Sequence, residues 1–223
     1  MSLSMLIVKD MSGPDFTNSK AYFRMIHNIS RGPITDVYVG DRQVASCLGY
    51  KSLTGYIEVE AGSEIIRFKI SGTNIIFIEK RLSLMPGMCH TLFISGVNYN
   101  YPSLLIVMDD LLSPGLGKIK IRFVHVAFGI PELDLYVGNK HLFTKINYTR
   151  ISPPVVQIMD PCTEKVYMTL LNKCLCIGSE KAFKFTEGSS YIIIPTGIYG
   201  DEITPLRMLI IENIDGMTFT YDL

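Results

Sequence analysis

Residues 23–50 of this chain, FRMIHNISRGPITDVYVGDRQVASCLGY, return in altered form at 123–148 as FVHVAFGIPELDLYVGNKHLFTKINY. Arg24, His27, Pro33, Asp36, Tyr38, Val39, Gly40 and Tyr50 recur as Arg122, His125, Pro131, Asp134, Tyr136, Val137, Gly138 and Tyr148. Each pair keeps one separation (122 − 24 = 98), so no residue is gained or lost across the motif. A chain of 223 residues that repeats itself at this spacing reads as two domains, each about 100 residues long and each able to bury its own core. Later in the copies Gly87 matches Gly188, so the offset has grown to 101 (188 − 87). The extra residues belong in a surface loop, near Pro153-Pro154 or Asp160-Pro161.

The local patterns point to strands. Around 36–40 Val37 and Val39 alternate with Asp36 and Tyr38, which puts the two valines on one face. Gly40-Asp41 and Gly138-Asn139 then sit where a two-residue hairpin loop is needed, and glycine accepts positive φ there without steric cost. Short apolar or alternating runs follow at 55–60, 64–70, 75–84, 89–97 and 104–108, with turn signals at Ala61-Gly62, Ser71–Asn74 and Pro86-Gly87. The second copy runs through 120–127, 133–137, 140–148, 155–159, 165–171, 181–186, 190–195 and 207–212. It ends in a hairpin turned at Asp215-Gly216, on which Met217, Phe219 and Tyr221 share a face. Many short strands and no long 3.6-residue period predict an all-β sandwich in each half. The expected layout is a lead of 1–20, a first repeat of 21–110, a linker of 111–117 carrying Pro114, Gly115 and Gly117, and a second repeat of 118–223. Met5–Val8 is a further candidate strand for the first repeat.

The spacing Arg-x-x-His, proline, Asp-x-Tyr-x-Gly and a later tyrosine resembles the bacterial family called domain of unknown function 4397, in both halves. Arg24, His27, Pro33, Asp36, Tyr38 and Gly40 carry the match in the first copy; Arg122, Phe123, Val124, His125, Pro131, Asp134, Tyr136 and Gly138 carry it in the second. The resemblance implies two tandem immunoglobulin-like or transthyretin-like β-sandwich domains, with no established activity, cofactor or ligand.

Charge and motif content narrow the function. The 21 basic and 21 acidic residues cancel, leaving no basic field with which to hold a nucleic acid. No GxGxxG or P-loop occurs, and Ser189-Ser190 lacks the strand-turn-helix setting of a nucleophile elbow. The five cysteines, Cys47, Cys89, Cys162, Cys174 and Cys176, are odd in number and do not repeat, which suits reduced, buried thiols. The Cys174-x-Cys176 pair has no second pair or histidine to complete a tetrahedral metal set, so no metal or other cofactor is expected. Arg24, His27 and Asp36 are the one repeated polar set, but Arg24 and His27 stand three apart and point to opposite faces of a regular strand. A folding role is expected for them: the histidine bonding backbone across a turn, the aspartate bonding loop amides. His90 and His141 read as surface or strand residues.

No run approaches a membrane-spanning length and the start lacks a signal-peptide pattern, so a cytoplasmic location is expected, with a non-classical route to a cell or spore surface left open. The expectation is a non-enzymatic structural or protein-interaction module whose partner is a protein or glycan. The alternative is a small-molecule or glycan-binding module using the loop tyrosines Tyr99, Tyr101 and Tyr199, or a cleft between the copies.

Overall fold

A computed structural model describes residues 19–148, 155–170, 176–178, 181–214 and 216–223. The chain divides into two compact units, parting between Leu111 and Leu112. Every regular element among the described residues is a strand, and no helix is long and apolar enough to cross a membrane.

The first unit holds eight strands: β1 (Lys20–Ile29), β2 (Thr35–Val39), β3 (Arg42–Leu48), β4 (Ile57–Glu60), β5 (Gly62–Ile70), β6 (Ile76–Leu84), β7 (Cys89–Gly96) and β8 (Pro102–Met108). They form two sheets, ordered β4-β1-β7-β8 and β3-β2-β5-β6. All pairings are antiparallel except β1 with β7. Alternation decides what lies between the sheets. Ala21, Phe23 and Met25 of β1, Val37 and Val39 of β2, Ile66 and Phe68 of β5, and Leu92 and Ile94 of β7 form one buried cluster. Asp36 and Tyr38 face away from it, half-buried, as the period of two requires. The opposite face of β1 is covered too: Arg24, Ile26 and Asn28 are all buried. Along one edge of β1 the stretch 51–54 carries the ladder on, with Lys51 N donating to the His27 carbonyl and Thr54 N to that of Met25.

The second unit holds β9 (Ile119–Phe123), β10 (Glu132–Val137), β11 (Lys140–Asn147), β12 (Val155–Met159), β13 (Thr163–Glu164), β14 (Val166–Leu170), β15 (Cys176–Gly178), β16 (Phe183–Lys184), β17 (Ser190–Thr196), β18 (Arg207–Ile214) and β19 (Met217–Asp222). Its sheets run β12-β9-β17-β18-β19 and β11-β10-β14-β15, with a small β13-β16 pair. Here the parallel pair is β9 with β17. Strand for strand this is the order of the first unit, with β19 added beside β18. Phe123, Leu135, Met168, Tyr191, Ile193 and Ile210 lie in its core. Each unit is thus a β-sandwich.

Pairing registers locate two of the three extra residues. Phe23 faces Ile57 across β1 and β4, while Ile121 faces Gln157 across β9 and β12. The first members differ by 98 and the second by 100 (157 − 57), so two residues enter between 148 and 155. That stretch contains Pro153-Pro154 and lies outside the described residues. Met5–Val8, Cys174, the Cys176 side chain and Asp215 also lie outside them. Two runs yield less strand than their apolar content suggests: β9 stops at Phe123, and only Phe183 and Lys184 pair within 181–186.

Candidate functional site

The hairpin glycines come first, because they aim everything after them. Gly40 and Gly138 both stand at φ 56°, each opening a two-residue loop between paired strands. Beyond each loop the ladder slips at two bulges. At the bulge farther from the loop stands Cys47 (φ 54°) in the first unit and Lys145 (φ 52°) in the second, neither of them glycine. An L-residue held left-handed is strained by roughly 1–2 kcal/mol. The repeated aspartates hold these residues in place. Asp36 Oδ1 accepts from Cys47 N at 2.9 Å and from Ser71 Oγ at 2.7 Å; Asp134 Oδ1 accepts from Lys145 N at 2.7 Å. The Cys47 amide, followed by Ser71, keeps the Asp36 carboxyl below its ordinary range.

The repeated histidines sit under the turns that precede β2 and β10. His125 is fully buried, its Nε2 3.0 Å from the Ile130 carbonyl, with Tyr148 edge-on at 5.9 Å. Tyr148 is itself one of the repeated residues. Burial lowers the pKa of His125 to about 4. His27 is equally buried, and burial lowers its pKa against the opposing pull of carbonyls that include that of Pro33. Gly32 makes room for this ring: a Cβ there would stand 2.8 Å from His27 Cε1.

Arg24 occupies the other face of β1, as the three-residue spacing predicts. Its Nε donates to Thr91 Oγ1 at 2.9 Å and lies 3.9 Å from Asp109 Oδ2, with the Tyr56 ring 4.8 Å from the guanidinium carbon. Thr91 and Tyr56 both donate to the same Asp109 oxygen, at 2.6 and 2.8 Å. Burial foremost, with Asp109 adding, raises the Tyr56 phenol well above its usual value and pushes the nearby Cys89 thiol up to about 12. Arg24 and Asp109 are almost wholly inaccessible, so the group has the features of a buried framework pair. Arg24, His27 and Asp36 therefore do not converge on one point. They serve opposite faces of β1 and the outer side of the second sheet.

A second buried network belongs to the second unit alone. Glu212 Oε1 accepts from Ser189 Oγ at 2.8 Å and Tyr191 OH at 2.7 Å, and Oε2 accepts from Tyr221 OH at 2.7 Å. The Ser189 hydroxyl is thereby tied to a carboxylate inside the protein. Burial and then Glu212 raise both phenols, Tyr221 the more strongly. No spacing in the sequence announces this group, because its members meet only through the pairing of β17, β18 and β19.

The loop tyrosines are exposed. Tyr99 and Tyr101 (40% and 71% accessible) lie on the β7–β8 connection of the first unit, and Tyr199 (41%) lies on the β17–β18 connection of the second. Gly96 pins the first loop: at φ 140°, its Cβ would stand 2.5 Å from the Tyr101 carbonyl oxygen. Asn98 Oδ1 caps the turn through Asn100 N at 2.9 Å. An open depression of about 490 Å³ in the first unit is lined by Glu60, Ser63, Ser83 and Pro86, and none of the three tyrosines borders it.

One expectation, that of buried thiols, needs correction. Cys47 is exposed, because the bulge turns it out of the ladder, whereas Cys89 is buried and Cys162 half-buried. His90 is a strand residue of β7, buried on the side that also carries Leu92 and Ile94. His141 is a strand residue of β11, with the ring of the motif tyrosine Tyr136 beside it. Among the described residues no three histidine, cysteine or carboxylate side chains are grouped as metal ligands would be.

No curated protein matches the chain. A solved structure, the crystal structure of CBMbc (family CBM26) from Eubacterium rectale Amy13K in complex with maltoheptaose, is 13% identical to it, with a TM-score of 0.27, covering 91% of this chain and 97% of that one. The model of the family described as Domain of unknown function (DUF4397) matches residues 21–136, more than half of the sequence and all of the motif's first copy. The chain belongs to that family.

Proposed function

We propose that this is a non-enzymatic protein of two β-sandwich domains, residues 21–110 and 118–223, copied from one ancestor, joined by the linker 111–117 and acting through contact with another protein. The observation that carries the contact reading is an apolar end on the first unit. Ile34, Ile75 and Ile76 are 57%, 56% and 43% exposed. They are drawn to one end of the second sheet by hydrogen bonds from Ser71 N to the Ile34 carbonyl and from Ile70 N to the Ile75 carbonyl. Clustered exposed isoleucines of this kind favour burial against a partner. The even charge count favours a protein over a nucleic acid. The framework contacts of Arg24, Asp36, Asp134 and His125 support a reading without catalysis.

A transthyretin-like arrangement is favoured over an immunoglobulin-like one. The first strand lies between the fourth and seventh and apart from the second, whereas a constant-type immunoglobulin domain keeps its first, second, fifth and fourth strands in one sheet.

The test is cross-linking in cells with the wild-type chain and an Ile34→Glu, Ile75→Glu variant. A discrete protein adduct lost in the variant is expected; adducts that are the same for both would remove the contact reading. A turnover abolished by a His27→Ala, His125→Ala double substitution would overturn the non-enzymatic one. A second reading, small-molecule or glycan binding through Tyr99, Tyr101 and Tyr199, is favoured by the exposure of Tyr101 on a pinned loop. It expects a ligand-induced thermal shift that Tyr99→Ala, Tyr101→Ala removes.

A further inference from the structure

Tyr136 lies between its two cross-strand partners, His141 on β11 and Tyr167 on β14. Its ring centroid is 4.2 Å from that of His141 at 9° and 4.9 Å from that of Tyr167 at 2°. Three parallel rings therefore cross three strands, on the face of the sheet turned away from the core residues Leu135 and Val137. The row ends at β15, where the partner of Tyr167 is Gly178. A Cβ on Gly178 would stand 2.6 Å from Tyr167 Cβ. The far face of Tyr167 thus has no side chain from its direct partner beside it.

The first unit fills the same positions differently. Tyr38 has Gln43 and Arg67 as its cross-strand partners. Its hydroxyl donates to Gln43 Oε1 at 3.2 Å, and Lys69 Nζ stands 4.3 Å above its ring. Arg67 bonds Glu79 and the Gly40 carbonyl. There the tyrosine's face and tip are both taken within the unit. In the second unit His141, Tyr167 and Thr169 replace Gln43, Arg67 and Lys69, exchanging two cations for an uncharged aromatic and a hydroxyl. The Asp134 carboxylate, two residues from Tyr136 on β10, is engaged by Lys145 N and by His141 Nε2 at 3.3 Å.

We propose that the Tyr136–Tyr167 row and the space over Gly178 form a binding site for a neutral glycan. The C–H face of a sugar ring fits against the face of Tyr167 turned towards Gly178, and its hydroxyl rim against the phenol tips and Thr169. A tyrosine offers that pairing of a broad apolar face with a hydrogen-bonding end. An anionic or cationic ligand is disfavoured, because the charges that the first unit carries at these positions are missing here. The site is separate from the loop tyrosines, and its failure leaves the protein-contact reading untouched.

The test uses the intact chain with cellohexaose, maltohexaose, chitohexaose and mannohexaose, read by calorimetry and by tyrosine fluorescence, which no tryptophan masks. At least one sugar is expected to bind. Tyr167→Ala should weaken it by about tenfold or more, the scale of one lost stacking contact, and Tyr167→Phe by roughly threefold. Tyr167→Arg with Thr169→Lys gives the second unit the first unit's residues at these positions; it should abolish binding while far-UV circular dichroism stays unchanged. Tyr38→Ala and Tyr99→Ala, Tyr101→Ala should leave affinity as it was. Absence of binding by all four sugars, binding that survives the Arg/Lys exchange, or binding lost instead through Tyr99 and Tyr101 would each overturn the assignment.

Discussion

Cys47 and Lys145 hold left-handed backbone without being glycine, and one carboxylate oxygen secures each of them. Asp36→Ala leaves the Cys47 amide and the Ser71 hydroxyl without their acceptor, so a loss of about 1–3 kcal/mol is expected in urea unfolding of the intact chain. Adding Cys47→Gly to that variant should restore about 1 kcal/mol, since glycine relieves the left-handed strain. No recovery would mean that the aspartate does something other than hold the bulge. The histidines give a pH signature. His125 stays neutral in the fold down to about pH 4, while in the unfolded chain it protonates around its ordinary 6.5. Its contribution is therefore complete above pH 6.5 and declines as pH falls towards 4, by roughly 3 kcal/mol in all. His27, also lowered, acts in the same direction. The stability of His125→Gln should fall less steeply across that window; equal slopes would contradict the assignment. The roles of Asp36 and His125 were partly legible, because a repeated polar residue beside a turn can bond the backbone. Which amide Asp36 would take was not, since nothing in an ordinary cysteine marks a left-handed position.

At the scale of elements, alternation did most of the predictive work. Val37 and Val39 against Asp36 and Tyr38, and the glycines at the hairpins, mark β2, β10 and β11 and the turn into β3. The same period put Arg24 and His27 on opposite faces of β1. Cross-strand partnerships stayed hidden, because register depends on which strands become neighbours. Arg24 with Asp109, Glu212 with Tyr221, and Tyr136 with Tyr167 are all of this kind. The β18–β19 hairpin offers a check. Tyr221 supplies the donor to Glu212 Oε2, so Tyr221→Phe removes one hydrogen bond to a buried carboxylate and keeps the ring against Phe183. A cost of about 1.5–3 kcal/mol is expected, visible as earlier amide exchange in β19 than in β17. A variant as stable as the wild type would show that the network does not secure the terminal strand.

The whole molecule is two units in which one strand order occurs twice. Gly40 and Gly138, Asp36 and Asp134, and His27 and His125 recur in the sequence and stand at hairpin turns, at bulges and in the buried interior of the two units. Residues free to vary are those on the outer sheet faces, where Arg67 in one unit answers to Tyr167 in the other. On this account the framework was copied and the surfaces diverged, which leaves partner choice to positions with no repeat signal. The central claim is that each copy is a self-sufficient sandwich. Its most direct measurement is equilibrium urea unfolding of residues 1–111 and 112–223 produced separately, followed by tyrosine fluorescence and circular dichroism. Each half is expected to show one cooperative transition with a slope of about 1–2 kcal/mol/M, in keeping with a domain near 100 residues. A half that stays unfolded without the other would contradict it.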